Sequence, residues 1–245
     1  MDVEYKKYTF QDSLRNIQES LKKTDKAFSL CSSISQGLDV ENAEFQTVYA
    51  DASVISVALN ASGDLMDGKL QSALALGYKV IVSEIINIIK GVKCVKSCNV
   101  DAYHINAVFD TEKKSDYREL VDAVAKISSI IEIWNWEQRD TAFNPFLCAI
   151  CLNYGKVLHF DTECKVHIGN NSVYMGEAIS KSVAIASLPA ETNTFSLVRA
   201  TQSFYDNLHD DYKGLFKWNP RSECYQTVVY NVEMKNWLIS KQTAK

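Results

Sequence analysis

Chemistry in this 245-residue sequence could be concentrated at two aspartates, a tyrosine-bearing turn and a Cys-x-x-Cys pair. Asp51 follows the alternating run 44–50 (EFQTVYA), which predicts a strand delivering a carboxylate at its end. Asp101 and Tyr103 fall in a turn between two predicted strands, 91–97 and 104–109, within NVDAYHINAVFDTEKKSDYR (residues 99–118). Carboxylates gathered at a strand end and a turn can hold divalent cations. Taken alone, Asp51 is a cap or turn residue and Asp101 a solvated turn aspartate. Cys148 and Cys151 have the spacing of a redox or zinc pair. On a strand, however, they face opposite sides, and no second pair accompanies them, so they read as core thiols. His104, His159 and His167 form no ligand spacing. Tyr49 and Tyr154 suit either a ligand pocket or aromatic packing, while Lys79, Lys113 and Lys114 could meet an anionic group or simply face water.

The elements that must position these residues follow from periodicity. Phe10, Leu14, Ile17 and Leu21, spaced four, three and four, predict an amphipathic helix. Leu70, Leu74, Tyr78, Ile81, Ile85 and Ile88 trace a long helix over residues 69–90. Ser115 is placed to cap a third helix, whose face is Leu120, Val124, Ile127 and Ile131. Residues 146–152 and 156–160 predict a hairpin around Tyr154-Gly155, and a helix over about 176–187 follows, with Pro189 beyond it. A short helix at 203–208, a late strand at 225–232 and a terminal helix at 234–240 complete the chain. The order β-α-β-β-α-β is the ferredoxin-like plan of an α/β (α+β) domain. It divides as a helical extension over 1–40, the main domain over 41–210 and an extension over 211–245 packed on it.

Composition excludes several function classes. The chain is 47% apolar and 23% charged, with a net charge of −4 and no basic face that would attract nucleic acid. Its first residues lack the apolar core of a signal peptide. The longest apolar run, 80–89, is interrupted by Ser83, Glu84 and Asn87, so no membrane span is expected. Seven irregularly spaced cysteines without a secretion signal read as reduced thiols of a cytoplasmic protein.

The strings VYADASVIS around Asp51, AVFDTEKKSD (107–116), AICLNYGKVL (149–158) and SVYMGEAISKSVAIASL (172–188) resemble class III nucleotidyl cyclases. With the tail CY at 224–225 and VEMKNW at 232–237, they are most similar to the short bacterial cyclases that make cyclic UMP or cyclic CMP in Pycsar antiphage signalling. The resemblance covers nearly the whole chain. It implies that two carboxylates hold two metal ions, while an Asn and a basic residue from the facing subunit position the ribose and balance charge on phosphorus. Each subunit of a dimer would then contribute half of every site.

Carried over residue by residue, the first metal carboxylate falls on Asp51 and the second on Tyr103. Asp101, two residues earlier, would be the replacement ligand if the turn is shifted. The ribose Asn falls on Ser180 and the basic residue on Ala184; Tyr49 and Lys96 become nucleotide-binding candidates. The implied function is a degenerate cyclase, a pseudocyclase that dimerises or binds a nucleoside triphosphate or a partner, with no cofactor. The alternative is an active UTP or CTP cyclase that uses Mg or Mn on Asp51 and Asp101. Partners implied are a second copy or a related cyclase, with no nucleic acid and no membrane.

Overall fold

The fifteen residues Thr47–Ala61 carry apolar side chains on both faces, which suits a strand covered on both sides. Val48, Ala50, Ala52 and Val54 are buried against one layer, and Ile55, Val57 and Leu59 against the other. The computed structural model describes residues 9–22, 28–38, 47–61, 71–101, 103–141, 145–161, 172–189 and 194–243. Their elements in chain order are α1 (Phe10–Lys22), β1 (Phe28–Cys31), α2 (Ile34–Leu38), β2 (Thr47–Ala61), α3 (Gln71–Lys90), β3 (Val95–Asp101), β4 (His104–Phe109) and α4 (Lys114–Glu137). They continue as β5 (Phe146–Asp161), β6 (Ser172–Met175), α5 (Glu177–Ala186), β7 (Ser196–Ala200), α6 (Gln202–Asn207), α7 (Asp210–Lys213), β8 (Lys217–Asn219), β9 (Cys224–Thr227) and α8 (Val232–Thr243).

The sheet runs β3-β4-β2-β5-β7-β9-β8, with β1 added to β2 and β6 to β5. Its first four strands are antiparallel and give the ferredoxin-like core; β1 and β7 add parallel pairs and make the sheet mixed. One face is covered by α3 and α4 through Ile81, Ile85, Ile89, Leu120, Val124, Ile127 and Ile131. The other face is covered by Ile34 of α2 and Ala178 of α5. The end of α5 is clamped from β7. The buried Arg199 guanidinium donates to the carbonyls of Ile185 at 3.2 Å, Leu188 at 3.1 Å and Pro189 at 2.7 Å. A cation at a helix C-terminus also meets the negative end of the helix dipole.

Several boundaries differ from the sequence expectation. β2 does not stop at Asp51, because apolar alternation continues for another ten residues. The expected hairpin at Tyr154-Gly155 is absent, and β5 passes straight through. A Cβ at Gly155 would lie 3.6 Å from the Ala178 methyl of α5, an ordinary contact distance, so neither a turn nor close packing demands a glycine there. The α4 start is held by Asp116, not Ser115, since its carboxylate accepts from the backbone N–H of Glu112 at 3.0 Å and Lys113 at 2.8 Å. Residues 91–94 form a turn ahead of β3, and the late strand is confined to Cys224–Thr227. Leu70 lies outside the described residues.

Candidate functional site

The turn between β3 and β4 is where the family resemblance implies a metal ligand. Asp101 stands opposite His104, which in turn stands opposite Ala58 of β2. The Leu59 N–H donates to the Tyr103 carbonyl at 2.9 Å and ties the turn to β2. The Tyr103 ring, 52% exposed, lies 6.2 Å from the Tyr78 ring of α3, and Tyr78 meets Phe146 edge-on at 4.9 Å. Tyr103 therefore extends an aromatic row outward from the core. On the opposite face, His104 Nε2 is 2.9 Å from Ser187 Oγ, which donates its own proton to the Val183 carbonyl at 2.8 Å. The imidazole nitrogen is consequently the donor, and the contact pins the turn to the end of α5 without creating a nucleophile.

Asp51 is elsewhere. It stands opposite Lys156 on β5, and Lys156 Nζ reaches its carboxylate at 2.8 Å. Seven residues separate it from Ala58, or about 23 Å along an extended strand. Asp51 and Asp101 thus occupy opposite ends of the β2–β4 ladder and cannot share one metal pair within a chain. The expectation that Asp51 borders the turn is corrected by the continuation of β2 beyond it. Tyr49 lies two residues before Asp51, and Lys156 Nζ is 5.9 Å from its ring centroid. On the same side, Ser53 Oγ and Thr111 Oγ1 are 2.8 Å apart, and the Tyr154 ring lies 5.8 Å from that of Tyr117. Burial raises the Tyr154 hydroxyl pKa, and the neighbouring Asp51 carboxylate raises it further.

Lys96 also leaves the turn. Its Nζ donates to Ser35 Oγ at 2.8 Å and lies 3.7 Å from the buried Asp110 carboxylate. Asp110 accepts from the backbone N–H of Ile34 at 2.9 Å and of Ser35 at 2.8 Å, and from the Ser35 hydroxyl. This closed group fixes the start of α2 onto the end of β4. Nearby, His159 is 3% exposed and its ring lies 4.6 Å from that of Tyr174, tilted by 41°. Its Nε2 is 3.8 Å from Asp161, and its Nδ1 has no hydrogen-bond partner. Burial lowers the His159 pKa more than Asp161 raises it.

On α5, Ser180 and Ala184 share one exposed face, as their spacing requires. Ser180 Oγ donates back to the Gly176 carbonyl at 3.2 Å, and Ala184 offers only a methyl group. Gly176, at φ +138°, makes the turn into this helix; a Cβ there would come within 3.0 Å of the Lys156 carbonyl. Cys148 and Cys151 are buried, and burial pushes both thiols up to about 12, which removes the thiolate needed for redox or metal chemistry.

A two-metal centre does not fit the described residues. No three His, Cys, Asp or Glu side chains among them converge. Asp51 already holds an ammonium, and the turn offers one exposed carboxylate beside a phenol. Lys156, Asp110 and Arg199 carry much of the polar architecture and escaped the sequence reading. Asp110 and Arg199 did leave a signal, as charged residues directly after or within apolar strands (AVFD, SLVRA). None of the helices searched among the described residues is long and apolar enough to cross a membrane.

Comparison with known proteins sets this geometry in context. No family model matches the chain. It is 24% identical over 203 residues to a protein named uridylate cyclase from Gulbenkiania mobilis, covering 78% of this chain and 79% of that protein. It is 22% identical over 180 residues to another uridylate cyclase, from Treponema porcinum, covering 72% of this chain and 63% of that one. Among solved structures, the adenylyl cyclase CyaB from P. aeruginosa superimposes with a TM-score of 0.59 at 11% identity, over 76% of this chain and 98% of its own. A class III adenylyl cyclase-like ATP-binding protein from Pseudomonas aeruginosa gives 0.58 at 12% identity, over 94% of this chain and 50% of its own.

Proposed function

We propose that this chain, a homologue of class III nucleotidyl cyclases with uridylate cyclases among its relatives, is a pseudocyclase. It acts by dimerising, and by binding a nucleotide or a partner, and it does not turn a nucleotide over. The observation that carries this reading is the register of β2, which leaves Ala58, Leu59 and Asn60 beside the turn and sets Asp51 against Lys156. No described residue of β2 then supplies a carboxylate next to Asp101. The methyl of Ala184 adds a second, independent loss, since removal of one transition-state donor lowers rate by ~10²–10³. Pairing with an intact cyclase leaves one composite site without its second carboxylate and the other without the Asn and the basic residue. Antiphage signalling of the Pycsar type is the setting that the resemblance supports.

The relatives' name favours a second reading, an active pyrimidine cyclase that uses Asp101. Incubation with ATP, GTP, CTP or UTP, with Mg²⁺ or Mn²⁺, separates the two. The expected result is no cyclic product, together with a rise in melting temperature with UTP or another triphosphate, because a ligand bound only by the native state stabilises it. Turnover of UTP or CTP that disappears in Asp101→Ala would establish the second reading.

A further inference from the structure

The tail string VEMKNW (232–237) has no part in the function proposed above, yet its helix, α8, forms one wall of a cavity. On α8, Lys235, Leu238 and Gln242 recur at spacings of three and four and so share a face. Glu132, Asn135 and Trp136 share a face of α4 for the same reason, and Arg139 follows just beyond the Gln138 cap. Between the two helices lies a cavity of about 470 Å³, bounded also by Pro145 and Phe195, which lead into β5 and β7. Its volume is that of a small-molecule pocket. Buried Asn135 fixes the position of α4 here, donating to the Phe146 carbonyl at 2.9 Å and accepting from the Phe146 N–H at 2.8 Å.

The lining decides what the cavity takes. Trp136, Pro145, Phe195 and Leu238 make its walls largely apolar, and flat rings among them favour a flat ligand. Its carboxylate, Glu132, is already neutralised, because it accepts from Lys235 Nζ at 2.7 Å and from the Tyr230 hydroxyl. A cationic ligand would find that charge taken. Arg139 differs. Its guanidinium carbon lies 3.6 Å from the Trp136 ring centroid, and one N–H donates to the Trp136 carbonyl. Its counter-charge at 3.3 Å, Asp140, has a side chain 74% exposed, so that pair is weak and yields to a better-placed anion. A guanidinium held on an indole presents a planar fork that matches a carboxylate or phosphate. From this arrangement we infer that the cavity binds a small planar aromatic acid, with its ring among the apolar walls and its anionic group on Arg139. None of the lining residues belongs to the β3–β4 turn or to the Asp51 pair. The inference therefore stands apart from whether the chain turns a nucleotide over.

The test uses the full chain and naphthoate, with naphthalenemethanol as the uncharged counterpart. Calorimetry should show saturable one-to-one binding of naphthoate, and hydrogen exchange should show protection gained over 132–139 and 235–242. The alcohol should bind about tenfold more weakly or worse, and Arg139→Gln should erase that difference by weakening naphthoate alone. Gln242→Trp, which fills the cavity from an exposed position, should block both ligands and leave the melting temperature unchanged. A nucleotide and an aromatic carboxylate share this chemistry. Displacement of naphthoate by uridine monophosphate would assign the natural occupant to the first, and failure to displace it to the second. Absence of saturation at low millimolar naphthoate would overturn the inference, as would equal affinity for the alcohol or unchanged binding in both variants. Protection confined to another surface, such as the exposed face of α1, would overturn it too.

Discussion

At residues 49–53, β2 is wrapped in paired polar groups; at residues 58–60 it meets a turn whose polar groups face outward. The first end holds the Asp51–Lys156 ion pair, and close to it lie the Asp110–Ser35–Lys96 group and the His159–Tyr174 ring contact. The second holds an exposed Asp101, a phenol laid against Tyr78, and His104 donating to Ser187. Polar groups that satisfy one another shape the fold, whereas a ligand site needs groups left unsatisfied until something binds. The comparison teaches that Asp51, conspicuous in the sequence, is tied up in an ion pair at one end, while at the other the turn lays its phenol against the aromatic row and leaves Asp101 exposed.

The largest effect that would break this comparison is expected at Asp110. Asp110→Ala strands two backbone N–H groups and the Lys96 ammonium, and should destabilise by about 3 kcal/mol in urea melts. A loss below about 1 kcal/mol would mean that this end is not built on its polar network. Next comes pH. Because burial lowers the folded-state His159 pKa below its unfolded value near 6.5, the unfolded chain binds the extra proton first. Stability is therefore full above that value and falls as the solution is acidified through it, by at most about 1.4 kcal/mol per pH unit. His159→Phe should flatten this part of the acid limb, and a limb of unchanged slope would remove His159 as its source. The smallest effects sharpen the contrast. Lys156→Ala should cost under about 1 kcal/mol because both partners are roughly a third exposed, and Asp101→Ala should leave the denaturation midpoint unmoved. A large loss in Asp101→Ala would show that the turn, too, is held by polar pairing.

How much of this was legible depended on the kind of signal. The stripes Leu74–Ile81–Ile85 and Leu120–Val124–Ile127–Ile131 were readable because burial on one face imposes a helical period. The turn before His104 and the exposed face of Ser180 and Ala184 followed from local spacing. Strand ends did not, since Asp51 looks terminal until the cross-strand Lys156, 105 positions away, is seen beside it. Gly155 suggested a turn because glycine commonly marks one, yet at this position the extended backbone of β5 requires no glycine. Lys96 gave no hint that Asp110 and Ser35 would claim it, because that group is assembled from three separate segments.

The Arg199 clamp has a consequence for how such a protein can change over time. Because three carbonyls at the end of α5 are held from β7, the position of that helix is set from behind, by a residue remote from its exposed face. Side chains on the outer face, Ser180 and Ala184 among them, can drift without the backbone moving. The face is therefore a blank mount: what was written on it can be erased and rewritten by point substitutions, and the fold keeps no memory of which.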